Sequence, residues 1–152
     1  MNYVYTFDNN GKIIVADDLT KAIEIAKNII DITYPLGWDK DHGGIIAFTD
    51  LEGKPPVQLE WDMKLWWPQC EAMIATRLAY LHFKDEKYNN LYLELKDYCE
   101  KYFVDAECGE WYGYLHYDNT VSNTLKGNIF KGPFHIPRLY IIMASMDETN
   151  GI

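Results

Sequence analysis

Cysteine is scarce in this sequence. Cys70, Cys99 and Cys108 form an odd set with no CxxC pair, which argues against a disulfide framework and for a reduced, cytoplasmic protein. Positive charge is scarce too: 14 Lys and Arg face 23 Asp and Glu, a net charge of −9. With no basic stripe to displace counterions, nucleic acid is excluded as a partner. No apolar run approaches the ~18 residues of a membrane span. The opening MNYVYTFDNN has neither the basic nor the apolar region of a secretory leader, so no membrane partner is expected. Lys126-Gly127 and Lys131-Gly132 lack the spacing of a phosphate loop.

What is present is core-forming material. Of 152 residues, 48% are hydrophobic and 15% aromatic, with 12 Tyr and 5 Trp, enough to bury a core in a single domain and to exclude disorder as the main state. Residues 1–16 read either as a hairpin, with Tyr3, Tyr5 and Phe7 alternating before an Asn9-Asn10-Gly11 turn, or as the tail of a helix. Residues 18–33 read as an amphipathic helix with Asp17, Asp18 and Thr20 as candidate caps and Leu19, Ala22, Ile23, Ala26 and Ile30 as its apolar stripe. Pro35 and Gly37 should end it. Ile45–Thr49 reads as a short strand and Asp50-Leu51-Glu52-Gly53 as a turn.

The spacing predicts a second helix over 66–83, with Pro68 tolerated in its first turn. Between Trp66 and Tyr80 its clearly polar residues are only Gln69, Glu71, Thr76 and Arg77, so it should be buried on most sides. A third helix over 86–103 is amphipathic. Trp111–His116 is strand-like, with Asp118-Asn119 turning it. A last helix over about residues 137–147 offers no wet face along Leu139–Ala144. Peripheral and buried helices thus alternate, with hairpin-bearing loops after residues 33 and 103. That order predicts a mainly α fold, an α/α toroid, although four helices cannot close such a ring.

Two residues stand out chemically. Glu71 shares one side of the apolar second helix with Trp67, Ile74 and Leu78. A carboxylate there is either a structural group satisfied by Arg77 or a backbone N–H, or an active-site acid. His135 sits in Lys131-Gly132-Pro133-Phe134-His135-Ile136-Pro137-Arg138, a loop shaped by glycine and proline just before an apolar helix. A histidine so held suits general acid/base work, with a structural role as the alternative. Arg138 reads as a group for a hydroxyl, an anion or a nearby acid. Trp66, Trp67, Trp111 and Phe130 offer flat surfaces for a sugar ring or serve as core. His42, His82 and His116 form no local metal motif.

Several segments in fixed order carry a resemblance: Gly37-Trp38-Asp39, Asp41-His42-Gly43-Gly44, the run from Gln58 to Ala72 containing KLWWPQ, Gly109–Leu115, and Phe130–Arg138 containing KGPFHIPR. Together they resemble the N-acylglucosamine 2-epimerase family, from about residue 18 to about 147, with residues 1–16 matching poorly. The resemblance implies a partial (α/α)6 barrel with short β-hairpins in its loops, residues 1–152 forming one incomplete domain from the C-terminal part. It implies His135 and Glu71 as catalytic residues, and Trp67, Arg138 and Phe130 as substrate-binding ones. The reaction implied is interconversion of N-acetylglucosamine and N-acetylmannosamine through proton abstraction and return at C2, with no cofactor and no metal. The family's other catalytic histidine lies in a Gly-His-x-x-Glu segment that has no match here. A fragment that is weakly active or inactive alone, and that forms a homo-oligomer through its exposed lateral faces, is therefore expected. A cellobiose- or mannose-type epimerase or isomerase, or a non-catalytic carbohydrate-binding fragment, are the alternatives.

Overall fold

Two antiparallel strands open the chain. Val4–Phe7 (β1) pairs with Ile13–Ala16 (β2), Val4 opposite Ala16 and Phe7 opposite Ile13. Over the described residues this segment is therefore paired strand rather than helix. The structure, a computed structural model, describes residues 4–7, 13–16 and 19–149. The Asn9-Asn10-Gly11 turn and the candidate caps Asp17 and Asp18 lie outside the described residues.

Helix α1 spans Leu19–Gly37. It does not stop before Pro35 as expected. Pro35 falls in the last turn, where its fixed φ is already helical and one backbone bond is forgone. Lys27 pairs with Asp31 at 2.9 Å across one turn, a contact worth a few tenths of a kcal/mol, roughly 0.2–0.5. The chain forms two compact units, Met1–Pro35 and Leu36–Ile152, and the candidate site lies wholly in the second.

In that second unit, helix α2 (Trp66–Phe83) packs against both α3 (Glu86–Tyr102) and α4 (His135–Thr149). Two residues separate α2 from α3. Lys84 ends α2 in the left-handed region, at φ 55°, its N–H donating to the Tyr80 carbonyl at 2.8 Å. Asp85 then caps α3 by accepting from the Lys87 N–H at 3.0 Å. The expected contrast holds for these two. Helix α2 buries Trp66, Gln69, Cys70, Met73, Ile74 and Ala79, while α3 buries Tyr88, Leu95, Tyr98 and Cys99 and turns Glu94 to solvent.

The expectation for α4 is corrected. Tyr140 and Ile141 are exposed, at 56% and 69%. Its main helical packing is against α2, and among the described residues Ile136, Leu139 and Met146 are its buried side chains. An apolar sequence gives a helix no second neighbour by itself.

The loops carry a second correction. Ile45–Thr49 is not a strand. Its backbone is satisfied piecemeal: Ile45 forms an isolated bridge with Trp38, the Ala47 N–H donates to Met63 O at 2.8 Å and the Phe48 N–H to Trp61 O at 3.2 Å. The regular pairing instead joins Lys64–Leu65 (β3) to Tyr114–Leu115 (β4), antiparallel, and is extended by the Trp66 N–H donating to Gly113 O at 3.1 Å. After β4 the Asp118-Asn119 turn forms as expected. Asn119 takes φ 70°, and the Ser122 N–H returns to Tyr114 O at 3.0 Å. The Asp50–Gly53 turn also forms, with Gly53 N–H on Asp50 O at 3.1 Å.

A buried polar knot ties these loops together. The Lys64 side chain is fully buried, its Nζ donating to Asp39 Oδ2 at 2.6 Å, to Asn119 Oδ1 at 2.9 Å and to the Tyr117 carbonyl. The Tyr98 hydroxyl donates to the same Asn119 oxygen at 2.8 Å, and Asn119 Nδ2 to the His42 carbonyl at 2.7 Å. Burial alone would raise the Asp39 carboxyl. The Lys64 ammonium and the Asp41 N–H outweigh it and hold the group below its ordinary value. Gly44 is required here: at φ 83° a Cβ would come within 2.4 Å of the Tyr98 ring.

Candidate active site

Glu71 lies in the second turn of α2, and His135 is the first residue of α4. Separated by 64 positions in sequence, they meet: His135 Nδ1 lies 2.9 Å from Glu71 Oε1. Arg138, one turn further along α4, donates through its guanidinium to the other carboxylate oxygen, Oε2. Glu71 is therefore satisfied by α4. Arg77, the partner weighed from the sequence, instead stands over the Tyr80 and Tyr92 rings. A carboxylate can only accept, so Nδ1 is the donor in this bond and Nε2 is the ring nitrogen left over. The three side chains are 28–37% exposed, open enough for a solute yet held on two helices.

Aromatic rings frame the imidazole. Phe134 meets it edge-on at 4.9 Å, Trp67 lies tilted at 6.0 Å, and Trp66 lies at 6.4 Å. The chain reaches this point through a tight loop, with Asn128 Oδ1 accepting from the Phe130 and Lys131 N–H groups at 2.8 Å each. The Phe134 N–H then donates to Gly132 O at 2.9 Å, and the Arg138 N–H to Phe134 O at 3.0 Å.

Of the residues named from sequence, Glu71, His135, Arg138 and Trp67 come together. Phe130 does not join them through any ring contact among the described residues. It stands 78% exposed on the loop, and the ring at the imidazole is Phe134, which sequence reasoning passed over. Trp111 is core: it is 3% exposed, stacks on Phe103 at 5.6 Å and donates from Nε1 to Tyr140 Oη at 3.3 Å. His42 packs on Tyr117 and His82 on Phe83; neither they nor His116 contacts the Glu71 cluster. Among the described residues no three His, Cys, Asp or Glu side chains gather into a metal-binding group. Burial, reinforced by the neighbouring Glu71 charge, pushes the Cys70 thiol up to about 12, and burial raises Cys99 well above its ordinary value. Neither is a thiolate nucleophile at neutral pH. Among the described residues no helix is long and apolar enough to cross a membrane.

A mainly helical protein with a half-buried His–carboxylate–Arg constellation is defined by these observations. Residues 5–135 match the family model of the N-acylglucosamine 2-epimerases. The chain is 44% identical over 119 residues to N-acylglucosamine 2-epimerase of Mus musculus, covering 76% of this chain and 28% of that protein. With the Homo sapiens enzyme of the same name it shares 41% over 127 residues, 81% of this chain and 30% of that one. A crystal structure of D-mannose isomerase superposes with a TM-score of 0.74 at 26% identity, over 83% of this chain and 32% of that one. The chain belongs to the N-acylglucosamine 2-epimerase family. It spans less than a third of the length of these relatives.

Proposed function

We propose that this chain carries one acid/base half of a sugar 2-epimerase site, acting on N-acetylglucosamine and N-acetylmannosamine. The observation that supports it is the bond from His135 Nδ1 to Glu71 at 2.9 Å, with Arg138 on the other oxygen, in a sequence 41–44% identical to N-acylglucosamine 2-epimerases. In the open-chain sugar the carbonyl acidifies the C2 proton. His135 Nε2 takes that proton, the C–H electrons pass into an enediolate, and the imidazolium formed is stabilised by Glu71. An acid on the opposite face returns a proton to C2 and inverts it. We assign that second group to a histidine outside this sequence, as the resemblance implies for a Gly-His-x-x-Glu segment that has no match here. Trp67 and Phe134, the rings beside the imidazole, would carry apolar faces of the sugar, and Arg138 a hydroxyl.

In this reading the helices are part of an (α/α)6 barrel, with a small-molecule sugar as partner and the cytoplasm as location, in keeping with three free cysteines. A second reading is favoured by the D-mannose isomerase likeness: the same abstraction, with the proton returned to C1 as in an aldose–ketose isomerase. The test is a chimera in which this sequence replaces the matching segment of a mammalian N-acylglucosamine 2-epimerase, assayed in deuterium oxide. Deuterium at C2 of N-acetylmannosamine that is lost on His135→Gln, with sugar binding retained, supports the epimerase. Deuterium uptake undiminished in His135→Gln would overturn it, and turnover of mannose alone would select the isomerase.

A further inference from the structure

Four residues before His135 lies a lysine that solvent does not reach. Lys131 is 5% exposed, unusual for a side chain that is almost never buried without a partner. Its Nζ donates to Glu110 Oε1 at 3.1 Å and to the Lys126 carbonyl at 2.7 Å. Its stem lies so close to Gly113 that a Cβ there would come within 3.0 Å of Lys131 Cδ. The carbonyl of that same Gly113 accepts from the N–H of Trp66, the first residue of α2. Lys131 thus joins the loop leading into α4 to the strand that holds the start of α2. Those are the two helices whose side chains make the His135–Glu71 bond.

We propose that Lys131 is a positioning residue for His135. With its ammonium anchored by Glu110 and Lys126, the loop is held at one distance from α2, and the imidazole reaches Glu71 with Nδ1. Burying Lys131 also leaves its neighbour Phe130 turned outward, at 78% exposure. A loop free at this point would lose the register on which one hydrogen bond of 2.9 Å depends.

This inference rests on the role given to His135 above, but its test does not use turnover. In the full 152-residue chain, long-range proton–nitrogen NMR reads the tautomer of His135. The wild type is expected to show a proton on Nδ1, protected from exchange. Lys131→Met keeps the stem and removes the ammonium; Glu110→Gln is milder and keeps an acceptor. Lys131→Met is expected to lose the Nδ1–H signal and Glu110→Gln to weaken it, with the Nε2–H tautomer gaining population, while the other ring signals of the core stay in place. Thr120→Ala, away from both helices, is the control and should leave His135 unchanged. If Lys131→Met does not fold, Glu110→Gln decides. An unaltered Nδ1–H signal in a folded variant overturns the positioning role. Absence of that signal in the wild type would instead overturn the His135–Glu71 geometry, and with it the acid/base reading.

Discussion

Asp39→Asn is the most informative single perturbation of the fold. The substitution keeps size and shape but removes the counter-charge of the fully buried Lys64 ammonium, and its single amide oxygen can replace only one of the two carboxylate oxygens that accept from Lys64 and from the Asp41 N–H. Removing one partner of a buried ion pair costs about 3–5 kcal/mol, because the remaining charge is left uncompensated. For a chain of this size each kcal/mol lowers the melting temperature by about 2–4 °C, so a fall of roughly 6–20 °C is expected. Thermal and urea unfolding followed by circular dichroism measure it at neutral pH. Acid gives a second reading. The folded Asp39 carboxyl is held below its ordinary value, so its stabilising contribution is complete above the unfolded pKa of about 3.9. It is lost as pH falls through the folded pKa. The gap between wild type and Asp39→Asn should therefore be flat from pH 7 down to about 5 and close below about 4. A loss under ~1 kcal/mol, the range of exposed pairs, would refute the burial of the pair in solution.

Further outcomes are expected elsewhere. Gln69→Ala removes the amide that accepts from the Ile45 N–H at 2.9 Å and donates to its carbonyl at 2.7 Å; leaving such groups unpaired costs about 1–3 kcal/mol each, read in urea unfolding. Gly44→Ala drives a Cβ into the Tyr98 ring and should cost at least as much, with near-ultraviolet dichroism of tyrosine changed. Glu71→Gln should lower C2 proton exchange in the chimera by roughly 10²–10⁴-fold, since the imidazolium loses its counter-charge. The purified chain is expected to self-associate through apolar side chains such as Tyr140 and Ile141, exposed at 56% and 69%; light scattering reporting a stable monomer at high concentration would count against it.

The helices were legible because each carries its own signal. A buried stripe or an apolar circumference placed α2 and α3 to within a residue, and Asp85 and Lys84 mark their junction. What failed depends on partners far along the chain. The wet face of α4 depends on which distant elements pack against it, and the Ile45 segment lost its strand to a glutamine 24 residues away. Lys64 looks like a solvated charge ahead of an apolar helix, and nothing local announces Asp39 or Asn119. At the site, Glu71 and His135 could be named singly from residue type and setting. Phe134 was missed because a phenylalanine beside a proline reads as ordinary loop packing.

The pairing of Lys64–Leu65 with Tyr114–Leu115 has a consequence in time. Helices α2 and α3 are joined by two residues and form through near neighbours, whereas the start of α2 waits on a strand some fifty residues downstream. The bond between Glu71 and His135 spans further still. Loop closure over such separations is slower than helix formation. A refolding chain should therefore regain its helical dichroism before Trp66 and Trp67 acquire their final environment beside His135. The site should then form after the helices that carry it.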